Sequence, residues 1–271
     1  MNDPVLRLDE AGDGMAPSLA VAADVMSVAE AMDGQYLLRR SLSEPHADAD
    51  QLAQLVDTLL SKVLSKPAVA LLRVAAAQSW ESAEAMAGAV RDEAIRVAWR
   101  VAIADGSAED SRLQVFELMV LTSRDGPLAT AIGDVTRDVA DRQKLATSLT
   151  KHATPVATFC AHSAISDIRA PFVDNLDRYL DELASLRDRA RAHVTTATAM
   201  TPAQATTMRQ QLERIFGRQI DLEADVDARV VGGALVNVGG DVIDGSIKAK
   251  LDAARKALAG VPLDKKDGKH A

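Results

Sequence analysis

The spacing of apolar residues changes once along this chain of 271 residues, and the change divides the sequence into two parts. In the first part apolar residues recur every three or four positions, as in the stretch 52–64 shortly before Pro67, which is the spacing of an amphipathic helix. In the second part they alternate, as at positions 234–238, which is the spacing of a strand. We therefore expect a mainly α protein, in which a multi-helix bundle over 18–190 is followed by a small α+β C-terminal domain over 191–260.

Two pairs of segments in the helical part resemble each other: 25–34 with 115–126, and 61–72 with 148–160. These pairs indicate a duplication with repeat units 18–105 and 106–190. Alanine-rich helices also resemble one another through composition alone. The sequence therefore leaves open whether the bundle is duplicated or only extended.

The second part predicts the order strand, helix, strand, hairpin, helix. Thr201-Pro202 supplies an N-cap and a first-turn proline for the first of these helices, and Gly217 ends it. Gly239-Gly240 lies between two alternating segments, which predicts the turn of the hairpin. A closing helix is expected over about 247–258, where apolar residues return to helical spacing. The residues that the first helix is expected to bury are Ala205, Met208, Leu212, Ile215 and Phe216.

The two ends of the chain have little to bury. Residues 1–17 mix glycine, proline and acids, and residues 261–271 are mostly polar. We expect both to be flexible tails.

Several sequence properties argue against particular classes of function. The net charge of −8 is unfavourable for nucleic-acid binding, which depends on many Lys and Arg contacts to phosphate. No apolar run approaches the roughly 20 residues needed to cross a bilayer. The single cysteine, Cys160, and the absence of a secretory signal pattern at the start predict a protein of the reducing cytoplasm.

The glycine pairs Gly232-Gly233 and Gly239-Gly240 have two interpretations. Glycine-rich loops bind phosphate through exposed backbone amides, but no phosphate-loop motif is present, and the neighbouring Asp241 and Asp244 would repel an anion. We favour the structural interpretation, in which Gly232-Gly233 permits a bulge or tight turn and Gly239-Gly240 supplies positive φ angles.

The candidate metal and nucleophile positions also favour structural roles. Asp227, Asp241 and Asp244 are carboxylates near predicted turns, where such residues usually cap helices and fix loops. His152 and His162 lie near Cys160, but no second ligand pair completes a zinc motif. We therefore expect no catalytic residue, no metal and no cofactor, and a core position for Cys160.

Two further groups of residues have alternative interpretations. Basic residues cluster near the C-terminus, and they form either a solvated helix face or a docking face for an acidic partner helix or anionic lipid. The members considered for docking are Lys248, Lys250, Arg255 and Lys256. The tryptophans, Trp80 and Trp99, lie in predicted helices, where core packing is favoured over a role as binding hot spots.

The segment 226–258 closely resembles the signature of the F-type ATP synthase delta subunits, the family of the mitochondrial oligomycin-sensitivity-conferring protein. Its features occur in the family's order, with an acid, a glycine pair, a hydrophobic hairpin, a polar turn and a basic amphipathic helix. The upstream segment 191–204 is similar to the family's strand and capped helix. The motif positions are Asp227, Gly232, Gly233, Gly239, Gly240, Asp244, Gly245 and Ser246.

The resemblance implies a non-catalytic part of the peripheral stalk, on the cytoplasmic face of the cell membrane and without a membrane span. In this family the helical bundle binds the N-terminal helices of the alpha subunits, and the C-terminal part binds the b-type stalk subunit. The chain departs from the family in its longer helical region, and its closest match to the family's Asn-Phe-Leu helix is Thr158-Phe159-Cys160. The alternatives are a helical scaffold in another complex, a nucleotide-binding protein and a nucleic-acid adaptor.

Overall fold

A computed structural model describes residues 3–43, 48–230, 232–239 and 241–244. For residues 241, 243 and 244 it describes the backbone but not the side chains. The chain divides into two compact units, Met1–Leu186 and Arg187–Ala271. The boundary expected from the sequence lies between residues 190 and 191. Each unit is described by itself below.

The first unit is built from helices, as predicted. Prolines stand in the first turns of several of them, where the missing amide breaks no helical hydrogen bond. No helix in the described part of the chain is long and apolar enough to cross a membrane. In chain order the helices are α1 Pro4–Asp13, α2 Leu19–Gly34, α3 Tyr36–Leu42, α4 Ala49–Leu60, α5 Lys66–Ala76, α6 Ala83–Asp105, α7 Ala108–Arg124, α8 Gly126–Gly133, α9 Val139–Leu149, α10 Pro155–Ser166 and α11 Phe172–Leu186.

One hydrophobic core runs through this unit, from Leu8 in α1 to Leu183 in α11. Its centre is α6, which packs against α2, α10 and α11. Trp99 of α6 is fully buried, and its indole Nε1 donates to the backbone oxygen of Tyr179 at 2.8 Å, so the prediction of core packing is confirmed for this residue. The two predicted repeat units share this core and do not form separate bundles, while their duplication stays a hypothesis.

The prediction that residues 1–17 form a flexible tail is wrong for most of the segment. Residues 4–13 form α1, which packs against α5 and α6 and buries Leu8. The Asp3 carboxylate caps the helix by accepting from the backbone amide of Val5 at 2.9 Å. Asp9 and Asp13 of this helix pair with Arg100 of α6, a partner that is distant in the sequence.

The second unit follows the predicted order of strand, helix, strand and hairpin. Its elements are β1 Ala190–Thr196, α12 Pro202–Phe216, β2 Ile220–Val226, β3 Ala234–Val238 and β4 Asp241–Asp244. They form a four-stranded sheet of order β2-β1-β3-β4, in which β1 and β2 are parallel and the other pairs are antiparallel. The predicted closing helix lies outside the described residues.

Local signals define α12. Thr201 and Gln204 form a reciprocal capping box, and Gly217 ends the helix in the left-handed conformation with a φ of 68°. One face of the sheet packs with this helix in a small core of its own, which contains Ala192, Val194, Leu212, Ile220, Val236 and Val238. The unit therefore has an interior independent of the core of the first unit.

Candidate functional site

The loop that follows β2 is held by Asp227. Its carboxylate accepts from the backbone amide of Arg229 at 2.9 Å and from the Arg229 guanidinium at 2.7 Å. Its own amide donates to the backbone oxygen of Thr196 at 2.8 Å, which ties the loop to the end of β1. These contacts explain why an acid occupies this motif position, because its carboxylate fixes the loop.

Three of the motif glycines adopt backbone conformations that other residues rarely adopt. Gly232 and Gly233, before β3, have φ angles of 81° and 79°. Gly239 has a φ of 57° in the turn between β3 and β4. Left-handed angles of this kind are unstrained only without a Cβ atom.

The other motif and docking positions lie at or beyond the end of β4. Asp244 ends this strand and pairs with Leu235 in the sheet, and its side chain is not described. The motif residues Gly240, Gly245 and Ser246 lie outside the described residues, as do the docking candidates Lys248, Lys250, Arg255 and Lys256.

An open groove of about 770 Å³ lies between α12 and the adjoining face of the sheet. The loop from β1 to α12 forms one end of the groove. Its floor is formed by Ala234 and Val236 of β3, and the Gly232-Gly233 pair lies beside this strand. Among the described residues that line it, none carries a charge. Its main apolar contributors are Met200, Met208, Leu212, Ile215, Ala234 and Val236.

Much of the described lining of the groove is apolar. Ile215 is 66% exposed, although it is a large aliphatic residue on the groove side of α12, so the expectation that it is buried is wrong. Of the residues of α12, Leu212 alone is buried. The polar side chains of the lining include Gln204, Thr207 and Gln211, which are uncharged and can donate and accept hydrogen bonds. Such a lining suits the apolar face of a helix.

The first unit contains a second feature, a set of buried charges around α6. Asp167, just after α10, accepts from the Arg169 guanidinium at 2.9 Å and from the Tyr179 hydroxyl at 3.1 Å, and it also pairs with Arg178 and Arg91. Burial raises the pKa of Asp167, but its hydrogen bonds to Arg169 and the nearby charges outweigh this effect and hold the pKa at about 2.

Sequence reasoning missed this set. Arg91, Glu93 and Arg100 are charged residues of a kind that helices usually expose to water, yet all three are buried. The one available signal is their distribution around α6, because charges on several sides of a helix leave no continuous apolar stripe.

Two of the positions considered for metal or nucleophilic chemistry, Cys160 and His162, lie in α10 of the helical unit. Cys160 is buried, and desolvation raises the pKa of its thiol. His162 shares a hydrogen bond of 2.9 Å with the Thr147 hydroxyl. No group of three or more metal-ligating side chains occurs within the residues that the structure describes.

Comparison with known proteins places these features in a family. The sequence model described as "ATP synthase delta (OSCP) subunit" matches residues 98–258, which is more than half of the chain. The chain belongs to this family. The match includes the groove, the motif glycines and the helices from α7 to α11.

Individual members are similar over almost the whole chain. A protein of Cutibacterium acnes named ATP synthase subunit delta is 33% identical over 253 residues, covering 93% of this chain and 96% of the relative. Proteins of the same name are 31% identical in Kineococcus radiotolerans, over 88% of this chain and 87% of the relative, and 29% identical in Corynebacterium urealyticum, over 93% of both. The alignments extend beyond the family match, so part of the sequence before residue 98 is also similar in these members.

Proposed function

We propose that this chain is the delta subunit of a proton-translocating F-type ATP synthase. In this role it is a non-catalytic part of the peripheral stalk, located at the cytoplasmic face of the cell membrane. The observation that carries the proposal is the similarity to proteins named ATP synthase subunit delta over 93% of the chain. The work of such a subunit is to hold the catalytic head against the torque of the rotor.

The division into two units supports a linking role. Each unit has its own hydrophobic core, so each can present a binding surface without support from the other. We assign the helical unit to the N-terminal helices of the alpha subunits and the C-terminal unit to the b-type stalk subunit. Two separate attachments strengthen the link through avidity.

The groove beside α12 is our proposed site for the b-type subunit. An amphipathic helix placed there would cover Ile215 and the apolar floor, and the described lining residues, which carry no charge, impose no desolvated ion pair. The Gly232-Gly233 pair keeps the chain in the left-handed turn that leads into the floor strand. The motif positions therefore act on assembly by shaping this site.

The buried charges of the first unit support a role for this subunit in resisting torque. Asp33 of α2, Arg91 of α6 and Asp167 after α10 connect three segments through ion pairs within the core. Hydrogen-bonded charges have narrow geometric requirements, so sliding of one helix past another would break them. We infer that this network keeps the bundle rigid under torque.

Affinity capture tests the assignment. The tagged chain is purified from detergent-solubilised membranes of its source, and its partners are identified by mass spectrometry. Recovery of alpha, beta and b-type subunits in fixed proportion is expected. Recovery of the chain alone, or with an unrelated set of proteins, would show instead a scaffold of another complex.

Two adjacent glutamines provide a matched test of the groove. Gln211 lines the groove, whereas the exposed Gln210 is not among the groove-lining residues. Gln211→Arg should release the b-type subunit and keep the alpha subunits, because it places a charge against an apolar helix face. Gln210→Arg should retain both. Equal retention by the two variants would refute the groove as the site.

The motif itself is tested by complex assembly in a strain that carries Gly233→Val. A branched side chain at a φ of 79° should distort the entry into β3 and reduce the yield of intact complex. Asp244→Ala tests the same motif at the end of β4. Normal assembly in both strains would contradict an assembly role for these positions.

A further inference from the structure

Glu93 of α6 is a buried carboxylate with only one oxygen satisfied. The residue has 0% of its surface exposed. Its Oε1 accepts from Arg100 Nη1 at 2.6 Å. Its Oε2 is buried and receives no hydrogen bond from the described residues, and Arg96 Nη1 lies 3.8 Å away. An unsatisfied carboxylate oxygen in such surroundings is a favourable place for a proton.

Helix α1 closes the space above this carboxylate. Gly12 of α1 is buried there, and a Cβ atom at this position would overlap Glu93 Oε1 and approach Arg100 Nη1 to 2.9 Å. The absence of a side chain at Gly12 therefore permits the close approach. The same helix pairs with Arg100 through Asp9 at 2.5 Å and Asp13 at 3.3 Å.

The charges facing Glu93 are unequal in number. Helix α1 contributes the carboxylates of Asp9 and Asp13, and α6 contributes the guanidinium groups of Arg96 and Arg100. Glu182 of α11 pairs with Arg96 at 2.6 Å. Together with Glu93, more carboxylates than guanidinium groups meet at this point.

This arrangement affects the proton affinity of Glu93. Burial raises its pKa to about 7, and Asp9 adds to the rise, while the charges of Arg100 and Arg96 oppose it. The carboxyl therefore titrates near neutral pH while α1 is in place. Without α1 the group would regain contact with water, and its pKa would fall toward the ordinary value of 4.5.

Helix α1 contributes few buried residues to the bundle. It has ten residues, of which Leu8 and Gly12 are buried. A short connection that contains Gly14 and Pro17 separates it from α2. Release of α1 would uncover apolar surface on α5 and α6, the two helices against which it packs.

We propose that α1 is a proton-linked latch, which closes over Glu93 when the unsatisfied oxygen takes up a proton and loosens when that proton is lost. The latch is a property of the chain alone, so its test does not depend on the proposed function. Partners that bind to α5 and α6 would gain access above neutral pH.

The sign of the pH effect follows from linkage. The closed state has the higher pKa, so closing binds a proton, and the closing constant falls as the pH rises from about 4.5 to about 7. Between pH 5.5 and pH 8.5 the expected fall is about 30-fold.

Hydrogen exchange on the full chain measures the latch directly. Protection of the α1 amides, corrected for intrinsic exchange rates, should fall by about 30-fold between pH 5.5 and pH 8.5. Protection of the α6 amides should not fall in parallel, which distinguishes opening of α1 from unfolding. In Glu93→Gln, which keeps the shape but cannot titrate, protection of α1 should be independent of pH.

Two glycine variants give a matched steric control. Gly12→Ala should leave α1 open at every pH, because its methyl group overlaps Glu93. Gly14→Ala should behave as the unmodified chain, since its added carbon would have its nearest contact at 3.5 Å, with the backbone oxygen of Glu10. Constant protection of α1 in the unmodified chain, or an unchanged pH response in Glu93→Gln, would overturn the proposal.

Discussion

Arg91 and Asp167 form an ion pair in the interior of the helical unit, with Nε and Oδ1 3.8 Å apart and side chains that are 1% and 0% exposed. The two residues come from α6 and from the segment after α10, so the pair connects parts of the bundle that are distant in the sequence. Arg91 also bonds Asp33 of α2, and Asp167 also bonds Arg169 and Arg178. The charges of this set neutralise one another only when all the segments are in place.

Replacement of Asp167 should strongly destabilise the helical unit. In Asp167→Asn, Arg91, Arg169 and Arg178 lose a shared negative partner, and removing one member of a buried ion pair typically costs about 3–5 kcal/mol. The measurement is the free energy of unfolding in urea, followed by tryptophan fluorescence. Both tryptophans, Trp80 and Trp99, report on this unit.

An exposed acid gives the control for this prediction. Asp141 pairs with Lys144 at 2.7 Å, and the two side chains are 68% and 77% exposed. Asp141→Asn should therefore leave the unfolding free energy unchanged within error. Similar effects of the two substitutions would contradict a structural role for the buried network.

The same carboxylate predicts how the unit responds to acid. The pKa of Asp167 is about 2 in the folded chain and lies below the ordinary value of 3.8 that applies after unfolding. Its contribution to stability is therefore complete above about pH 4 and is lost as the pH falls through about 2. Urea titrations at a series of pH values should show this loss in the unmodified chain and a smaller one in Asp167→Asn. Parallel curves for the two proteins would exclude Asp167 as the source.

Substitution of Gly233, which precedes β3, should destabilise the protein more than substitution of a glycine with an ordinary φ angle. Gly233→Ala places a Cβ atom at a φ of 79°, and the left-handed region disfavours such residues by about 1–2 kcal/mol. Exchange of the β3 amides with solvent should increase accordingly. Gly34→Ala is the matched substitution in α2, where an added Cβ atom would meet no heavy atom within 4 Å. It should have little effect or stabilise slightly, and equal losses would show that the φ angle at Gly233 is unimportant.

Much of the fold can be predicted because its signals are local. Thr201, Pro202 and Gly217 define the ends of α12 through hydrogen bonds and backbone angles that involve neighbouring residues. The strands follow from alternation, and the hairpin follows from the glycines between two such segments. The order of the motif residues in 226–258 also indicates the family, because that order does not depend on tertiary contacts.

The candidate site can be predicted only in part. The positive φ angle expected of the Gly239-Gly240 pair is confirmed at Gly239. Gly232 and Gly233, which are expected to permit a bulge or tight turn, also have positive φ angles. The groove beside them could not be foreseen, because it depends on how α12 lies across the sheet. Ile215 has the helical spacing of a core residue, yet it is 66% exposed on the groove side of the helix.

The sequence by itself determined the fold class, the main helices and strands, and the family, since these depend on periodicity, turn residues and the order of a motif. Tertiary structure alone decided the place of α1 and the roles of the charges in α6. Asp9 meets Arg100, and Arg91 meets Asp167, across long stretches of intervening chain. Whether a charged residue faces water or a buried partner depends on elements that are distant in sequence, and periodicity carries no information about such partners.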